Sequence, residues 1–477
     1  MHSFIDPKTG RRKNILIIIS DEHRRDAMGC MGHPIVKTPN LDKLAASGTL
    51  FTRAYTASPM CVPTRAALAS GQYPHQNGFW DSVHAFDGRE SWMSLARDQG
   101  YDVTSIGKLH FKSGEFDNGF TKEILPMHIV DGKGWVIGLL RENPPFYESA
   151  AELANEVGKG SSSYTDYDRA ITEAAETWLQ DPARHDNPFV GFVSLVSPHY
   201  SLIAPEEFYD LYNPDEMPLP EPPAPLHPEL EQMNNFLGYE THFDDARKRE
   251  AIAAYYGLTS FLDHCIGRIM TSLEDTGLME DTIIIYTSDH GEMLGDKGLW
   301  TKMVMYEASA GIPMIISGGD IPKGKVTATG SHLLDIAATV VEGVGLEKPE
   351  SWPGQNLAQL AHAEDNKSRP LFTEYHDGGA STGTFMLAWD DWKLVYYVGM
   401  QPQLFNLVED PQEKHDLALN PAFADILEIG KTHLNAICDP EAVSAKAFED
   451  QRRMIEKLGG EDVIRNTTSF GATPTPQ

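Results

Sequence analysis

The sequence predicts an α/β protein with a large mixed, mostly parallel sheet flanked by helices and a smaller C-terminal α+β module that contains an antiparallel sheet. Residues 14–20 and 282–288 are short β-branched runs that are apolar on both faces, which is typical of strands inside a parallel sheet. Residues 189–196 and 313–317 have the same character. Helical patterns lie between these runs, and such alternation favours a doubly wound sheet.

The helices can be predicted from their end signals and periodicity. A first helix is expected at residues 39–46, because Thr38 suits the N-cap, Pro39 suits the first helical position and Gly48 ends the pattern. The proline-rich residues 213–228 predict an extended surface loop. Longer helices are expected around residues 166–180, 246–275 and 333–343.

The pattern changes near residue 370. Residues 384–387 and 392–397, separated by a short Asp-rich stretch, predict an antiparallel hairpin. We therefore expect a large α/β domain over residues 1–370 and a small α+β subdomain over residues 371–477. Residues 466–477 are polar and rich in Pro and Thr, which indicates either a flexible end or an arm laid on a neighbouring subunit.

Charge and composition exclude several kinds of partner. The chain has 69 acidic and 39 basic residues, a formal net charge of −30. Such a surface repels nucleic acid and anionic membranes, so neither is expected to bind.

The four cysteines are too few and too scattered for a disulfide framework. Residues 1–13 lack an apolar h-region and no run approaches the ~18 apolar residues of a membrane span, so the predicted location is cytoplasmic.

Acidic residues directly follow two of the predicted strands. Asp21 and Glu22 follow residues 14–20, and Asp289 with His290 follows residues 282–288. Ligands of α/β sheets bind beyond the carboxyl ends of the strands, and carboxylate oxygens suit a hard divalent cation. The alternative is that these acids are turn residues or helix caps.

A cysteine precedes a predicted short helix. The residues after Cys61, from Thr64 to Ala69, predict a helix that ends near Gly71. The N-terminus of that helix would place partial positive charge and free N–H groups beside the cysteine. The other cysteines lack a similar context and are expected to be buried or inert: Cys30, Cys265 and Cys438.

Four segments resemble the sulfatase family and stand in the family's order. The run Cys61-Val62-Pro63-Thr64-Arg65 is similar to the family's C-x-P-[ST]-R segment. The others are Gly107-Lys108-Leu109-His110, Ser197-Pro198-His199, and residues 287–303 with Asp289, His290 and Lys302. Residues 38–42 and 404–417 are similar as well, so the resemblance spans almost the whole chain. It is nearest to the bacterial choline-sulfatase-like branch.

The resemblance implies hydrolysis of a sulfate ester to an alcohol and inorganic sulfate by a catalytic domain at residues 1–370. It implies that Cys61 is oxidised to formylglycine, whose hydrate attacks sulfur. His199 or Lys302 then assists the leaving oxygen, and His110 deprotonates the second hydroxyl so that sulfate is expelled. The implied catalytic residues are Cys61, Arg65, Lys108, His110, His199 and Lys302. The implied metal ligands are Asp21, Glu22, residue 61, Asp289 and His290.

The resemblance also implies one divalent metal ion, with Ca²⁺ expected ahead of Mg²⁺ or Mn²⁺. The expected partners are a small-molecule sulfate ester, a formylglycine-installing enzyme during maturation and a second copy of the chain in a homo-oligomer. Glu22 departs from the Asp or Gln usual in the family, which puts its ligation in doubt. Two alternatives stay open: a phosphonate monoester or phosphodiester hydrolase with the same nucleophile, and a non-catalytic member that binds metal and anion. Lys108 and His110 favour sulfate esters.

The alcohol part of the substrate is the least predictable feature. Trp80, Asp81 and His84 follow the nucleophile segment and are candidates for a pocket that holds a quaternary ammonium by cation–π contact. Tyr375 and His376 are candidates for the pocket wall. All five are equally compatible with packing.

Overall fold

The structure of the protein is a computed structural model that describes residues 4–5, 10, 12–142, 149–221, 225–467 and 473–476. The strands of its first part are β1 (Asn14–Asp21), β2 (Gly48–Tyr55), β3 (Asp102–Lys108), β4 (Lys122–Met127), β5 (Val157–Lys159), β6 (Phe189–Pro198), β7 (Leu202–Ala204), β8 (Thr282–Ser288), β9 (Met314–Ser317) and β10 (Lys325–His332). Eight of them form one sheet in the order β10-β2-β9-β8-β1-β6-β3-β4, and β5 pairs with β7.

The predicted central strands are confirmed. β1, β6 and β8 are buried along their whole length, and β1 pairs in parallel with the other two. The run at 313–317 forms β9, which is antiparallel to both neighbours. The direction of β9 follows from the connection that precedes it. A parallel strand would need a crossover to the opposite edge of the sheet, but the chain after β8 stays at the edge where β8 ends, so β9 runs back antiparallel to β8.

The helices are α1 (Pro39–Ala46), α2 (Cys61–Ser70), α3 (Pro74–Asn77), α4 (Trp92–Asp98), α5 (Ser149–Asn155), α6 (Ser163–Leu179), α7 (Ala183–Asp186), α8 (Glu206–Tyr209), α9 (Pro228–Leu237), α10 (Asp245–Asp275), α11 (Glu307–Ala310), α12 (Asp335–Gly343), α13 (Leu357–His362), α14 (Ala424–Ile437), α15 (Pro440–Lys457) and α16 (Glu461–Arg465). The four predicted helices are present as α1, α6, α10 and α12.

The two faces of the sheet are covered by different helices. Leu16 and Ile18 of β1 belong to a core shared with α6 and α10, whereas Ile15 and Ile17 belong to a core shared with α4 and α12. Because successive strand residues point to opposite faces, an unbroken apolar strand supplies both cores. This confirms the predicted fold class, a mostly parallel sheet between helical layers.

The C-terminal part forms a second, antiparallel sheet of β11 (Leu371–Tyr375), β12 (Thr384–Trp389), β13 (Trp392–Tyr397) and β14 (Gln403–Asn406) in chain order. The predicted hairpin is confirmed as β12 and β13. Its turn is tight because Trp389 pairs with Trp392 and Asp390 adopts a φ of +45°. β11 contacts the main sheet region, since the Glu374 amide donates to the Ala57 carbonyl at 3.1 Å. A domain boundary at residue 370 stays a prediction.

The proline-rich stretch is a mostly exposed loop with one helical turn at Pro214–Glu216, as predicted, except that residues 222–224 lie outside the described residues. Among the described residues no helix combines the length and apolar character that crossing a bilayer demands.

Candidate active site

Four neighbouring strands deliver polar side chains to one edge of the sheet. β8 leads into Asp289, β1 ends at Asp21, β6 leads into His199 and β3 ends at Lys108. All four strands are parallel, so their carboxyl ends meet at the same edge. The four side chains are at most 6% exposed. Residues that are 268 positions apart in the sequence, such as Ser20 and Ser288, are thereby paired side by side in neighbouring strands.

Cys61 lies at the N-terminus of α2, beside this edge. The helix begins at Cys61 itself, three residues before the predicted start at Thr64, because Pro63 is tolerated in a first helical turn. The Sγ atom is 3.1 Å from His290 Nε2 and 3.6 Å from Asp21 Oδ1. Burial and then the charge of Asp21 raise the pKa of the thiol. The unmodified cysteine is therefore protonated at neutral pH and a poor nucleophile.

Cys61 belongs to a cluster of four candidate metal ligands. One ligand atom from each of Asp21, Cys61, Asp289 and His290 lies within 4.8 Å of the other three, and all four residues are buried. His290 Nδ1 is 3.0 Å from the Gly291 carbonyl, to which it donates, so Nε2 faces the cluster as an acceptor. Two carboxylates and an acceptor imidazole fit a hard divalent cation.

Arg65 fixes the two carboxylates through charged hydrogen bonds. Its Nε donates to Asp289 Oδ2 at 2.8 Å and its Nη2 donates to Asp21 Oδ2 at 3.2 Å. Its Nη1 donates to the Lys108 carbonyl and to Ser194 Oγ, both at 2.9 Å. Burial alone would raise the pKa of Asp21, but the charges of Lys108 and Arg65 outweigh it and hold that pKa well below its usual value. Asp21 is therefore ionised and available to a cation.

Lys302, His199 and Glu22 form a second group beside Cys61. Lys302 Nζ is 2.9 Å from both Glu22 Oε2 and His199 Nε2. Burial lowers the pKa of Lys302, but the carboxylates of Glu22 and Asp21 outweigh it and raise that pKa. Burial and then the charge of Lys302 hold the pKa of His199 well below its usual value. The pair is thus an ammonium donating to a neutral imidazole.

The structure separates Glu22 from the four-residue cluster. The Glu22 carboxylate groups with Asp21 and His199 as a second candidate ligand set and accepts from Lys302. Its backbone instead contacts the first cluster, because the Glu22 amide donates to Asp289 Oδ1 at 3.2 Å. The sequence left the ligation of Glu22 in doubt, and in the structure its carboxylate is not a member of the set that contains Cys61, Asp289 and His290.

His110 lines the same cavity as Cys61 and is not tied to either group. Within the described part of the chain neither of its ring nitrogens has a hydrogen-bond partner, although both are buried. Burial, followed by the charges of Lys108 and Arg65, lowers the pKa of His110 well below its usual value. A neutral, unpartnered imidazole is competent to take a proton from a hydroxyl within hydrogen-bond distance.

These groups open onto one cavity of about 90 Å³. We call the lining residues with the thiol, ammonium and imidazole groups the floor, namely Cys61, Lys108, His110, His199 and Lys302. We call the other lining residues the walls, namely Met60, Val62, Ser82, Ile129, Val130, Gly134, Trp135, Tyr164, Tyr200, Met303 and Thr473. Two cations and two neutral imidazoles at the floor favour a tetrahedral anionic group, with the rest of the ligand between the walls.

The sulfatase family model matches residues 13–346, and a model described as N-sulphoglucosamine sulphohydrolase, C-terminal, matches residues 295–439. The first match covers well over half of the 477 residues. The chain belongs to the sulfatase family. It is a sulfuric ester hydrolase, and the four motifs that resembled the family are those at the edge of the sheet.

Other comparisons agree with this family. The uncharacterized sulfatase YidJ of Escherichia coli (strain K12) is 31% identical over 435 residues, which cover 87% of this chain and 85% of that protein. The choline-sulfatase of Rhizobium meliloti (strain 1021) is 29% identical over 431 residues, with coverage of 87% and 84%. The solved phosphonate monoester hydrolase of Agrobacterium radiobacter has a TM-score of 0.73 at 22% identity and covers 89% of this chain and 95% of that chain. That likeness shows the alkaline-phosphatase-like fold of the sulfatases.

The five residues predicted for the alcohol pocket do not line the cavity. Trp80 Nε1 donates to Asp450 Oδ2 at 3.0 Å, and Asp81 accepts from Gln451 at 2.8 Å. His84, Tyr375 and His376 likewise have protein partners, namely Asp81, Gly378 and Glu374. Each of the five thus has a hydrogen-bond partner within the protein, and a role in the alcohol pocket stays a prediction.

Sequence reasoning missed two residues that position the site. Asp168 of α6 accepts from the Val196 and Ser197 amides, both at 2.7 Å, immediately before His199, and burial raises its pKa to about 6. Glu292 accepts from the amides of Leu294 and Thr301 at 2.7 and 2.6 Å, which closes the loop that presents Lys302. Glu292 follows Asp289-His290-Gly291 closely enough to be suspected, but no sequence signal marks Asp168.

Proposed function

We propose that this sulfatase hydrolyses its ester with formylglycine derived from Cys61 and one divalent metal ion, with Ca²⁺ expected ahead of Mg²⁺ or Mn²⁺. The observation that carries the proposal is the position of Cys61 Sγ, 3.1 Å from His290 Nε2 in a buried carboxylate cluster. Formylglycine would supply a hydrated aldehyde whose one hydroxyl attacks sulfur and whose other hydroxyl allows sulfate to leave.

Asp21, Asp289 and His290 would hold the metal together with the group at position 61, and Glu22 remains a candidate ligand. A metal ion bound there would supply Lewis-acid polarisation of the sulfuryl oxygens. Arg65 keeps both carboxylates oriented through its buried contacts. Lys108 Nζ is 2.5 Å from Asp21 Oδ2 and lines the cavity, so it adds positive charge at the sulfate end.

Lys302 and His199 would act together on the leaving oxygen. They are hydrogen-bonded at 2.9 Å. The sequence left open whether His199 or Lys302 assists the leaving oxygen, and this contact makes the two residues one hydrogen-bonded pair. Since the pKa of Lys302 is raised and that of His199 is lowered, the proton resides on Lys302. Lys302 is therefore the proposed proton donor, and His199 is the neutral acceptor that orients the ammonium group.

His110 would be the base for the second half of the reaction. Because its pKa is lowered, the ring stays neutral below the ordinary histidine value of about 6.5. We therefore expect kcat/KM to stay constant as the pH falls through about 6.5 and to decline only at more acid pH. A pH–rate profile of the wild type measures this.

The control for that profile is His185→Asn, which changes an exposed histidine and should leave the curve unchanged. His110→Asn should lose most of the rate at every pH. An acid decline centred near pH 6.5 in the wild type would contradict the assignment of His110.

The test of the proposed function compares matched aryl sulfate, aryl phosphonate and phosphodiester substrates, together with choline sulfate because of the choline-sulfatase relative. Mass analysis of the peptide that carries residue 61 measures conversion to formylglycine. We expect the sulfate esters to have the highest kcat/KM. A higher value for the phosphorus esters would favour the alternative hydrolase, and no turnover by fully converted protein would favour the non-catalytic alternative.

Three further statements stay predictions from the sequence. They are a cytoplasmic location, maturation by a formylglycine-installing enzyme and assembly into a homo-oligomer.

A further inference from the structure

A segment from the far end of the chain forms part of the cavity wall. Thr473 lines the same cavity as Cys61 and Lys302. The Tyr164 hydroxyl donates to the Thr473 carbonyl at 2.7 Å. The Tyr164 ring in turn lies edge-on to the His199 ring, with centroids 5.7 Å apart. Tyr164 thus contacts both Thr473 and His199, a proposed catalytic residue of the same chain.

The sequence of this segment suits a fixed wall. Residues 473–476 read Thr-Pro-Thr-Pro, and the two threonines are half-buried while the two prolines are exposed. Proline fixes its own φ and restricts the residue before it to extended conformations. The segment therefore loses less conformational entropy on ordering than a flexible one would, and the hydrogen bond from Tyr164 contributes to holding Thr473 in place.

The walls differ chemically from the floor. The charged and imidazole side chains among the described lining residues are Lys108, His110, His199 and Lys302, and no carboxylate of the described residues lines the cavity. Most wall residues are apolar or aromatic, including Ile129, Trp135 and Met303. The Tyr200 ring is already covered by Lys302 Nζ, 5.0 Å from its centroid.

We propose that Thr473, held through its carbonyl by Tyr164, is a specificity element that restricts the ester to a compact, uncharged and largely apolar alcohol. The proposal rests on the proposed function of this site. A sugar would leave several hydroxyls without partners against the apolar walls, which costs free energy for each. A cationic alcohol would find no carboxylate among the described lining residues, and the ammonium of Lys302 would repel it.

The test uses sulfate esters of four primary alcohols: propyl, 2-phenylethyl, choline and glucose 6-sulfate. Converted wild type should prefer propyl and 2-phenylethyl sulfate over the other two by about tenfold or more in kcat/KM. Thr473→Trp should lower kcat/KM for 2-phenylethyl sulfate by about tenfold and much less for propyl sulfate. Tyr164→Phe keeps the ring against His199 but removes the hydrogen bond to the segment. It should therefore raise kcat/KM for 2-phenylethyl sulfate relative to kcat/KM for propyl sulfate.

The matched control is Tyr167→Phe on the same helix, whose hydroxyl donates to the Leu125 carbonyl away from the cavity, and its ratio should equal that of wild type. Preference for choline or glucose 6-sulfate, or an equal loss on both apolar esters in Thr473→Trp, would overturn the specificity element and leave the proposed function standing. No hydrolysis of any sulfate ester by fully converted protein would overturn both.

Discussion

Cys61→Ala is expected to abolish sulfate ester hydrolysis and to leave the fold intact. Alanine is compatible with the first turn of α2, and the cysteine is only 5% exposed, so the substitution removes the sulfur with little change in packing. The reaction loses its nucleophile, because neither Lys302 nor His110 can form and then release a covalent bond to sulfur at that position. We expect a loss on the order of 10⁴-fold or more in kcat.

The matched control is Cys265→Ala, which removes another buried cysteine in α10 outside the cavity and should keep its activity. Thermal unfolding of both variants should differ little from that of wild type. If Cys61→Ala kept a substantial share of the activity, or if active wild type carried an unmodified residue 61, the proposed nucleophile would be wrong.

The sequence predicted the parts of the fold that depend on local pattern. The strand at residues 14–20 could be predicted without knowing its partners, because its unbroken apolar composition indicates burial on both faces. The acids at the ends of β1 and β8 follow from strand polarity in the same way. The direction of β9 was not predictable from its own residues, since it depends on where the preceding loop stays.

The site was predictable in residue type and not in pairing. Lys302 and His199 were separate candidates, and only the structure shows them 2.9 Å apart. Trp80 and Asp81 looked suited to a pocket, but α15 supplies their partners from some 370 positions away. Asp168 and Thr473 carry no local motif, because their contacts depend on how α6 packs against the end of β6 and against residues near the end of the chain. Long-range contacts of polar side chains were the part that the sequence left open.

Arg65→Gln is expected to cause a large loss of stability. Arg65 is 2% exposed and contacts two fully buried carboxylates, those of Asp21 and Asp289. Glutamine leaves Asp289 without its cationic partner inside the protein, and removing one member of a buried ion pair costs about 3–5 kcal/mol. The free energy of unfolding from denaturant titration, measured without added metal, checks this.

The control is Arg97→Gln, which breaks a pair with the exposed Asp117 and should cost at most about 1 kcal/mol. A divalent cation adds a second comparison. In Arg65→Gln the carboxylate of Asp289 lacks its cationic partner, so added Ca²⁺ should raise the melting temperature of this variant more than that of wild type, because a ligand that binds only the folded state stabilises it. No shift in either protein would mean that the cation does not bind at Asp21 and Asp289, and the candidate metal site would have to be sought elsewhere.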